Sequence, residues 1–258
     1  MKGHGYAAEA FLQRDTGPQA LPFRANRTEA GRQVNRSLEI YLPSGLFVNR
    51  QAAGCLGGGG GCTCGYSGWV ETVERLVRGA QELLWERGYV GTSPKAVQRV
   101  AGAGQGSMYH HFAGKAELAK VAIGRSAEEL RAAAEEQLGG PGTARERIAA
   151  YLGREREVLK GCRIGRLTAD PEVVADPELR APVAETFEWL RGRLAEVVAE
   201  GKQNGEFPAT LDPERTAATI AAVLQGGYVL ARAAGSVEPF DLAVQGLIDA
   251  LPRADTLP

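Results

Sequence analysis

An all-α chain is predicted, on three observations. From Trp69 onward, Val73, Leu76, Val77, Ala80, Leu83 and Leu84 recur at three- and four-residue steps, which puts them on one side of a helix. Helix starts and stops punctuate the rest of the chain. Ser93-Pro94, Thr143 with Glu146, Asp176-Pro177 and Asp212-Pro213 combine a side-chain cap with a proline or a capping-box glutamate, and Gly88, Gly102, Gly205 and Gly235 follow the apolar periods. No strand-like alternation competes after residue 69.

Residues 1–68 stand apart. They are rich in Gly, Arg and Asn, show no sustained helical period and end in "CLGGGGGCTCGYSG", a glycine run that favours an unfolded backbone through its entropy. A disordered N-terminal extension is expected there, with "RSLEIYLPSGLFVNR" as a short strand or helical turn. The first helix then runs from about Trp69 to Arg87. The second starts at Ser93-Pro94 and buries Ala96, Val97, Val100 and Ala101. Gly102-Ala103-Gly104 leaves three residues for the turn into a short third helix, about Gln105 to His110. So tight a connection forces two helices to cross steeply, the helix-turn-helix arrangement. Lys115 opens a long fourth helix to about Leu138, ended by "GGPG". A fifth begins at Thr143. The break "GCRIGRLTAD" holds at most a short helix, and helices from Asp176-Pro177 to about Asn204, Asp212-Pro213 to Ala234, and Pro239 to Ala250 complete the chain.

Charge supports a division of labour. The net charge is -1, but residues 1–68 carry 7 Lys/Arg against 4 Asp/Glu, residues 69–120 carry 7 against 5, and residues 121–258 carry 16 against 22. A mildly basic front on an acidic back suits a DNA-binding head on a regulatory body. No apolar run approaches the ~18 residues of a membrane span, and "MKGHGYAAEAFLQRD" lacks the apolar core of a secretory signal, so a cytoplasmic, membrane-free protein is expected. Cys55, Cys62, Cys64 and Cys162 form neither a disulfide framework nor a zinc pattern with nearby His. The histidines are His4 and the adjacent His110 and His111, and adjacent helical positions point apart. No metal, no cofactor and no enzymatic activity are expected.

The stretch "SPKAVQRVAGAGQGSMYHHFAGKAEL" carries the functional expectation. The second helix of a helix-turn-helix enters the major groove by its N-terminal end. That end should be small and polar, and Gly104-Gln105-Gly106-Ser107 is both. Gln pairs with adenine through two hydrogen bonds, and Ser is a donor and an acceptor. Tyr109 and His110 offer donors where a phosphate strand passes, Lys115 adds charge beside the free N–H groups of the next helix, and Ser93 and Lys95 flank the other side. Met108 and Phe112 belong to the core, and His111 packs or caps.

"GTSPKAVQRVAGAGQGSMYHHFAGKAEL" resembles the DNA-binding motif of TetR-type (TetR/AcrR) one-component transcriptional regulators. The matching residues are Thr92, Ser93, Val97, Ala101, Gly102, Gly106, Met108, Tyr109, His111, Phe112, Lys115 and Leu118. Matched by position, the resemblance implies DNA contacts from Ser93, Lys95, Gln105, Ser107, Tyr109, His110 and Lys115. Gly104 departs from the usual Ser or Thr, a weaker cap by a few tenths of a kcal/mol. The resemblance further implies a helix-turn-helix domain over 69–120, followed over 121–258 by an all-helical ligand-binding and dimerisation domain. It implies a homodimer built on the last two long helices, for which Ala217, Ile220, Ala221, Leu224, Tyr228 and Ala231 offer an apolar stripe, and a small-molecule effector between the middle helices. Candidate pocket residues are Tyr151, Arg156, Cys162, Phe187, Trp189 and Tyr228. The expected function is a ligand-responsive repressor released from a palindromic operator on double-stranded DNA. An activator, or a helical interaction protein that has lost specific DNA binding, are the alternatives.

Overall fold

The computed structural model describes residues 40–41, 47–48, 64–104 and 106–252. Within "RSLEIYLPSGLFVNR", Ile40–Tyr41 (β1) pairs antiparallel with Phe47–Val48 (β2), with Ile40 opposite Val48 and Tyr41 opposite Phe47. The disorder expected over 1–68 is overturned at residues 64–68, where the first helix opens at Cys64, five residues before the expected start at Trp69. The rest of that expectation, Cys55 and Cys62 included, falls outside the described residues, as does Gln105. All other described elements are helical. They are α1 (Cys64–Arg87), α2 (Pro94–Ala101), α3 (Ser107–His111), α4 (Lys115–Leu138), α5 (Ala144–Gly153), α6 (Pro171–Ala175), α7 (Pro177–Gln203), α8 (Pro213–Ala234) and α9 (Glu238–Ala250). Two 3₁₀ turns, Val158–Lys160 and Gly165–Ala169, lie between α5 and α6.

Local chemistry sets most of these boundaries. The Ser93 hydroxyl accepts from the Ala96 amide at 3.2 Å. Thr143 and Glu146 exchange side-chain and backbone hydrogen bonds in a complete capping box. Asp170, Asp176 and Asp212 cap α6, α7 and α8, each before a proline in the first turn. Gly102 ends α2 at φ 59° and Gly235 ends α8 at φ 65°, the left-handed geometry that costs a residue with a Cβ ~1 kcal/mol or more.

The head is α1–α3 with the start of α4. Val73, Leu76, Val77, Ala80, Leu83 and Leu84 are all buried, as are Val97, Ala101, Met108, Phe112 and Leu118. Val100 departs from expectation at 53% exposed. It edges α1 at Gly79, where an added Cβ would lie 3.4 Å from its Cγ1, while Val97 and Ala101 fill the core. The third helix starts at Ser107, two residues later than expected. Gly106 is its cap residue and makes no side-chain bond.

The body is built on α4, which packs on both α1 and α7. α7 packs on α8, and α8 on α9. The α8 stripe expected at a dimer interface lies inside the subunit instead: Ala217, Ile220, Ala221, Leu224, Tyr228 and Ala231 are buried, and the Tyr228 ring meets Phe240 of α9 at 4.9 Å. The opposite face of α8 is the open one, with Val229 67% and Leu230 53% exposed, and on α9 Leu242 is 67% exposed. With 22 residues and a mean hydropathy of 1.2 over its most apolar window, α8 is also long and apolar enough to cross a membrane, contrary to expectation. Its inner stripe is committed to the subunit core.

Two of the ion pairs that tie α4 to its neighbours are bound tightly enough to shift a carboxyl. Arg125 binds Glu74 of α1, and Arg193 of α7 grips both carboxylate oxygens of Glu135 at 2.8 and 3.0 Å. The guanidinium in each case holds the carboxyl below its ordinary range. A carboxyl depressed on folding stabilises the fold above its unfolded pKa, about 4.3 for Glu, and loses that contribution as pH falls through the folded value. Thermal unfolding midpoints should therefore hold steady from neutrality to about pH 4.5 and fall below it. Arg193→Gln should make that acid slope shallower in a calorimetric pH series.

Candidate nucleic-acid interface and ligand cavity

The segment from Arg87 to Ala116 contains no Asp or Glu and carries Arg87, Lys95, Arg99 and Lys115. Ser93 and Lys95 are exposed at the start of α2, and Tyr109 (60% exposed) and His110 project from α3. Ser107 is half-buried at the first position of α3. Ser93 already uses one lone pair as the α2 cap, which leaves its O–H as a donor. His111 is half-buried, and burial, then the neighbouring His110, hold its imidazole below the ordinary range; it packs, as expected.

Lys115 is less free than the sequence suggests. Its Nζ sits 3.9 Å from the centre of the Tyr89 ring, so the charge is held over an aromatic face at the junction of α1 and α4. The Glu117 side chain in the first turn of α4 also accepts the Ala113 amide. A phosphate at this helix start would meet Lys115 with a carboxylate nearby.

Two adjoining cavities lie in the body, a larger one of about 190 Å³ open to solvent and a smaller one of about 20 Å³. Both touch Leu130, Arg154, Cys162 and Tyr228; the larger adds Arg156, and the smaller adds Tyr151 and Phe187. Five of the six expected pocket residues thus converge. Trp189 does not: it lies two positions from Phe187 on α7, so it projects from another side of the helix, and Arg131 stands 5.9 Å from its ring centre. Arg154, Trp85 and Arg163 are wall residues that periodicity does not single out. An arginine two residues before Arg156, just beyond Gly153, is the one signal in the sequence. A wider crevice of about 550 Å³ runs between Gly114 and Leu179, with mostly exposed walls bridged by Lys120 and Glu178 at 3.1 Å.

Trp85 belongs to α1, the first helix of the head, yet it lines the larger cavity. Its indole N–H donates to the Gly161 carbonyl at 2.9 Å, and Arg163 and Lys160 stack on its ring at 4.1 and 4.6 Å. The segment from Lys160 to Asp170 holds the end of α1 at four further points. Lys160 binds Glu82 at 3.1 Å, Arg166 donates to the carbonyls of Trp85 and Glu86, and Asp170 accepts the Val90 amide at 2.9 Å. Gly88, at φ 73°, lets the chain turn where an added Cβ would come within 2.8 Å of that carboxylate.

Residues 76–122 match the family model of bacterial regulatory proteins of the tetR family, and residues 143–247 match the tetracyclin repressor-like C-terminal domain. The chain belongs to the TetR family. Similar relatives include an uncharacterized HTH-type transcriptional regulator of Mycobacterium tuberculosis, 28% identical over 179 residues that cover 66% of this chain and 88% of that one. The HTH-type transcriptional repressor NemR of Escherichia coli is 23% identical over 67% of this chain and 90% of its own. Among solved structures, the TetR family regulator CifR, a cysteine mutant bound to 26bp double-strand operator DNA, superposes with a TM-score of 0.60 at 25% identity. That match covers 69% of this chain and 96% of CifR. The TetR-family chain is a ligand-responsive, DNA-binding transcriptional regulator with a helix-turn-helix head and a helical C-terminal body, and it acts as a homodimer.

Proposed function

We propose that this TetR-family regulator is a cytoplasmic, non-enzymatic repressor. Its head, residues 69–120, contacts operator DNA through Ser93, Lys95, Gln105, Ser107, Tyr109, His110 and Lys115. Its body, residues 121–258, holds the effector in the cavity between α4, α5, α7 and α8. The observation that carries the reading is the carboxylate-free run from Arg87 to Ala116, which includes the exposed polar residues of α2 and α3, the charge pattern a polyanion requires. NemR, a similar protein, bears the name of a repressor.

The open face of α8 and α9 suits the homodimer contact. Ala222, Gly226, Val229, Leu230 and Ala233 follow one another at helical spacing, and an added Cβ at Gly226 would meet nothing within 4 Å, so a partner helix could approach the backbone closely. Two heads joined in this way read two half-sites about one DNA turn apart. The coupling rests on Trp85. An effector in the cavity would press on a side chain of the head's own helix, shift α1 against Gly161 and alter the spacing of the two heads. A differential affinity of ~1–3 kcal/mol between the two arrangements is the usual coupling range.

Anisotropy titrations with the DNA upstream of the protein's own gene test the interface. Lys115→Ala should weaken binding to every sequence and reduce the salt slope by about 1, since one phosphate contact is lost. Gln105→Ala should instead relax the preference at particular base pairs by ~1–3 kcal/mol. If both variants bind as the parent does, the assigned contacts are wrong.

A further inference from the structure

The wall of the larger cavity carries Arg154, Arg156 and Arg163 together with Glu129, Glu155 and Glu157. Of the three arginines, Arg154 and Arg156 have no carboxylate within the 4.0 Å of an ion pair among the described residues. Arg156 turns back on its own helix end. Its Nη1 donates to the carbonyls of Leu152 and Arg154 at 2.6 and 2.8 Å, and its Nη2 donates to that of Tyr151. Its Nε is buried with no partner. Arg154 donates no hydrogen bond among the described residues, its Nε is likewise buried and unpartnered, and its guanidinium stands 5.9 Å from the Tyr151 ring centre. The other charges at the wall are accounted for. Arg163 lies 3.7 Å from Glu129, and Glu157 lies 2.9 Å from Lys160. Glu155 is exposed at the rim.

The neutral polar groups have the same bias. Burial pushes the Tyr151 and Tyr228 phenols up, so both stay protonated and present O–H donors. The Cys162 sulfur already accepts the Gly165 amide at 3.2 Å. Arg154 thus faces both cavities and Arg156 the larger one, beside an apolar wall of Trp85, Leu130 and Ala133 in the larger and of Leu130, Phe187, Leu190 and Leu224 in the smaller. Two guanidinium groups kept close together, partly desolvated and without a counter-charge, are costly unless an anion joins them. At about 190 Å³ the cavity is also below the roughly 300–1,000 Å³ of drug-sized sites.

We infer that the effector is a small organic anion, a carboxylate or similar oxyanion on an apolar body, paired with Arg154 and backed by Arg156. This rests on the cavity being the effector site. Charge-assisted bonds from a planar fork are about twice as strong as neutral ones, so charge on the ligand should decide affinity.

The test uses the full-length dimer and two matched pairs of probes, benzoate with benzamide and hexanoate with hexanamide, by calorimetric titration. The carboxylate of at least one pair should bind about tenfold or more tightly than its amide. In Arg154→Gln that preference should shrink to within about twofold, while Arg154→Lys keeps part of it because the charge remains. Amides that bind as well as carboxylates, a preference untouched in Arg154→Gln, or no binding by either carboxylate would overturn the inference. Ala133→Phe, on the α4 wall, separates this from the underlying reading. Amides that win in the parent but are blocked by Ala133→Phe refute the anion and keep the site. Carboxylates that bind equally well to Ala133→Phe refute both.

Discussion

A folded monomer that no longer holds its operator is the expected result of placing aspartate at both Val229 and Leu230. The two side chains are exposed in the subunit, so the double change should cost the monomer little, within about 0.5 kcal/mol per site for ordinary surface positions. In the dimer the same change buries carboxylates in an apolar contact, where an unpaired charge costs several kcal/mol. Sedimentation velocity should show the mass of one chain. Operator affinity should fall by about a hundredfold or more, because the second head then binds as an independent molecule and not at the high effective concentration set by its twin. A variant that stays dimeric with full affinity would place the interface elsewhere.

Asp170→Ala should produce the second large effect, at the joint between head and body. One carboxylate oxygen accepts the amides of Glu172 and Val173 and so caps α6; the other accepts the Val90 amide. The side chain is buried, so its removal leaves unsatisfied donors and a helix without its cap. A loss of ~1–3 kcal/mol is expected, which for a body of this size lowers the unfolding midpoint by roughly 2–4 °C per kcal/mol. The functional readout is separate. With the strap loosened from α1, effector binding should persist while its influence on operator affinity declines. Asp170→Asn keeps one carbonyl acceptor and should fall between the two. Full coupling in Asp170→Ala would take Asp170 out of the transmission and leave it to Trp85 and the other contacts on α1.

Much of this architecture is legible in the sequence because its signals are local. Ser93 with Pro94, Thr143 with Glu146, and Asp212 with Pro213 each close a hydrogen bond within three residues, so neighbouring letters suffice. Asp170-Pro171 is the same signal and opens α6, though it stands at the end of an apparent break. The choice between two apolar faces is not local. α8 carries one stripe through Ala217, Leu224 and Tyr228 and another through Ala222, Val229 and Leu230. Only the position of α7 and α9 decides which is core, and here it reverses the expected assignment. Val100 fails for a related reason: α2 is a short helix at the edge of the head, and its periodicity does not show where the neighbouring helix ends. The site was half legible. The exposed polar residues of α2 and α3 follow from the motif, whereas Trp85 joins the cavity from 76 residues away along the chain.

Because an indole from the operator-reading half forms part of the chamber wall, the protein cannot retune its chemical taste at that position in isolation. Any substitution at Trp85 that reshapes the chamber also resets the resting grip on the promoter. Changes at Phe187, in the smaller cavity whose wall contains no residue of the head, carry no such penalty. Divergence among descendants of this protein, and laboratory selection for new inducers, should therefore accumulate on the α7 wall and leave Trp85 alone.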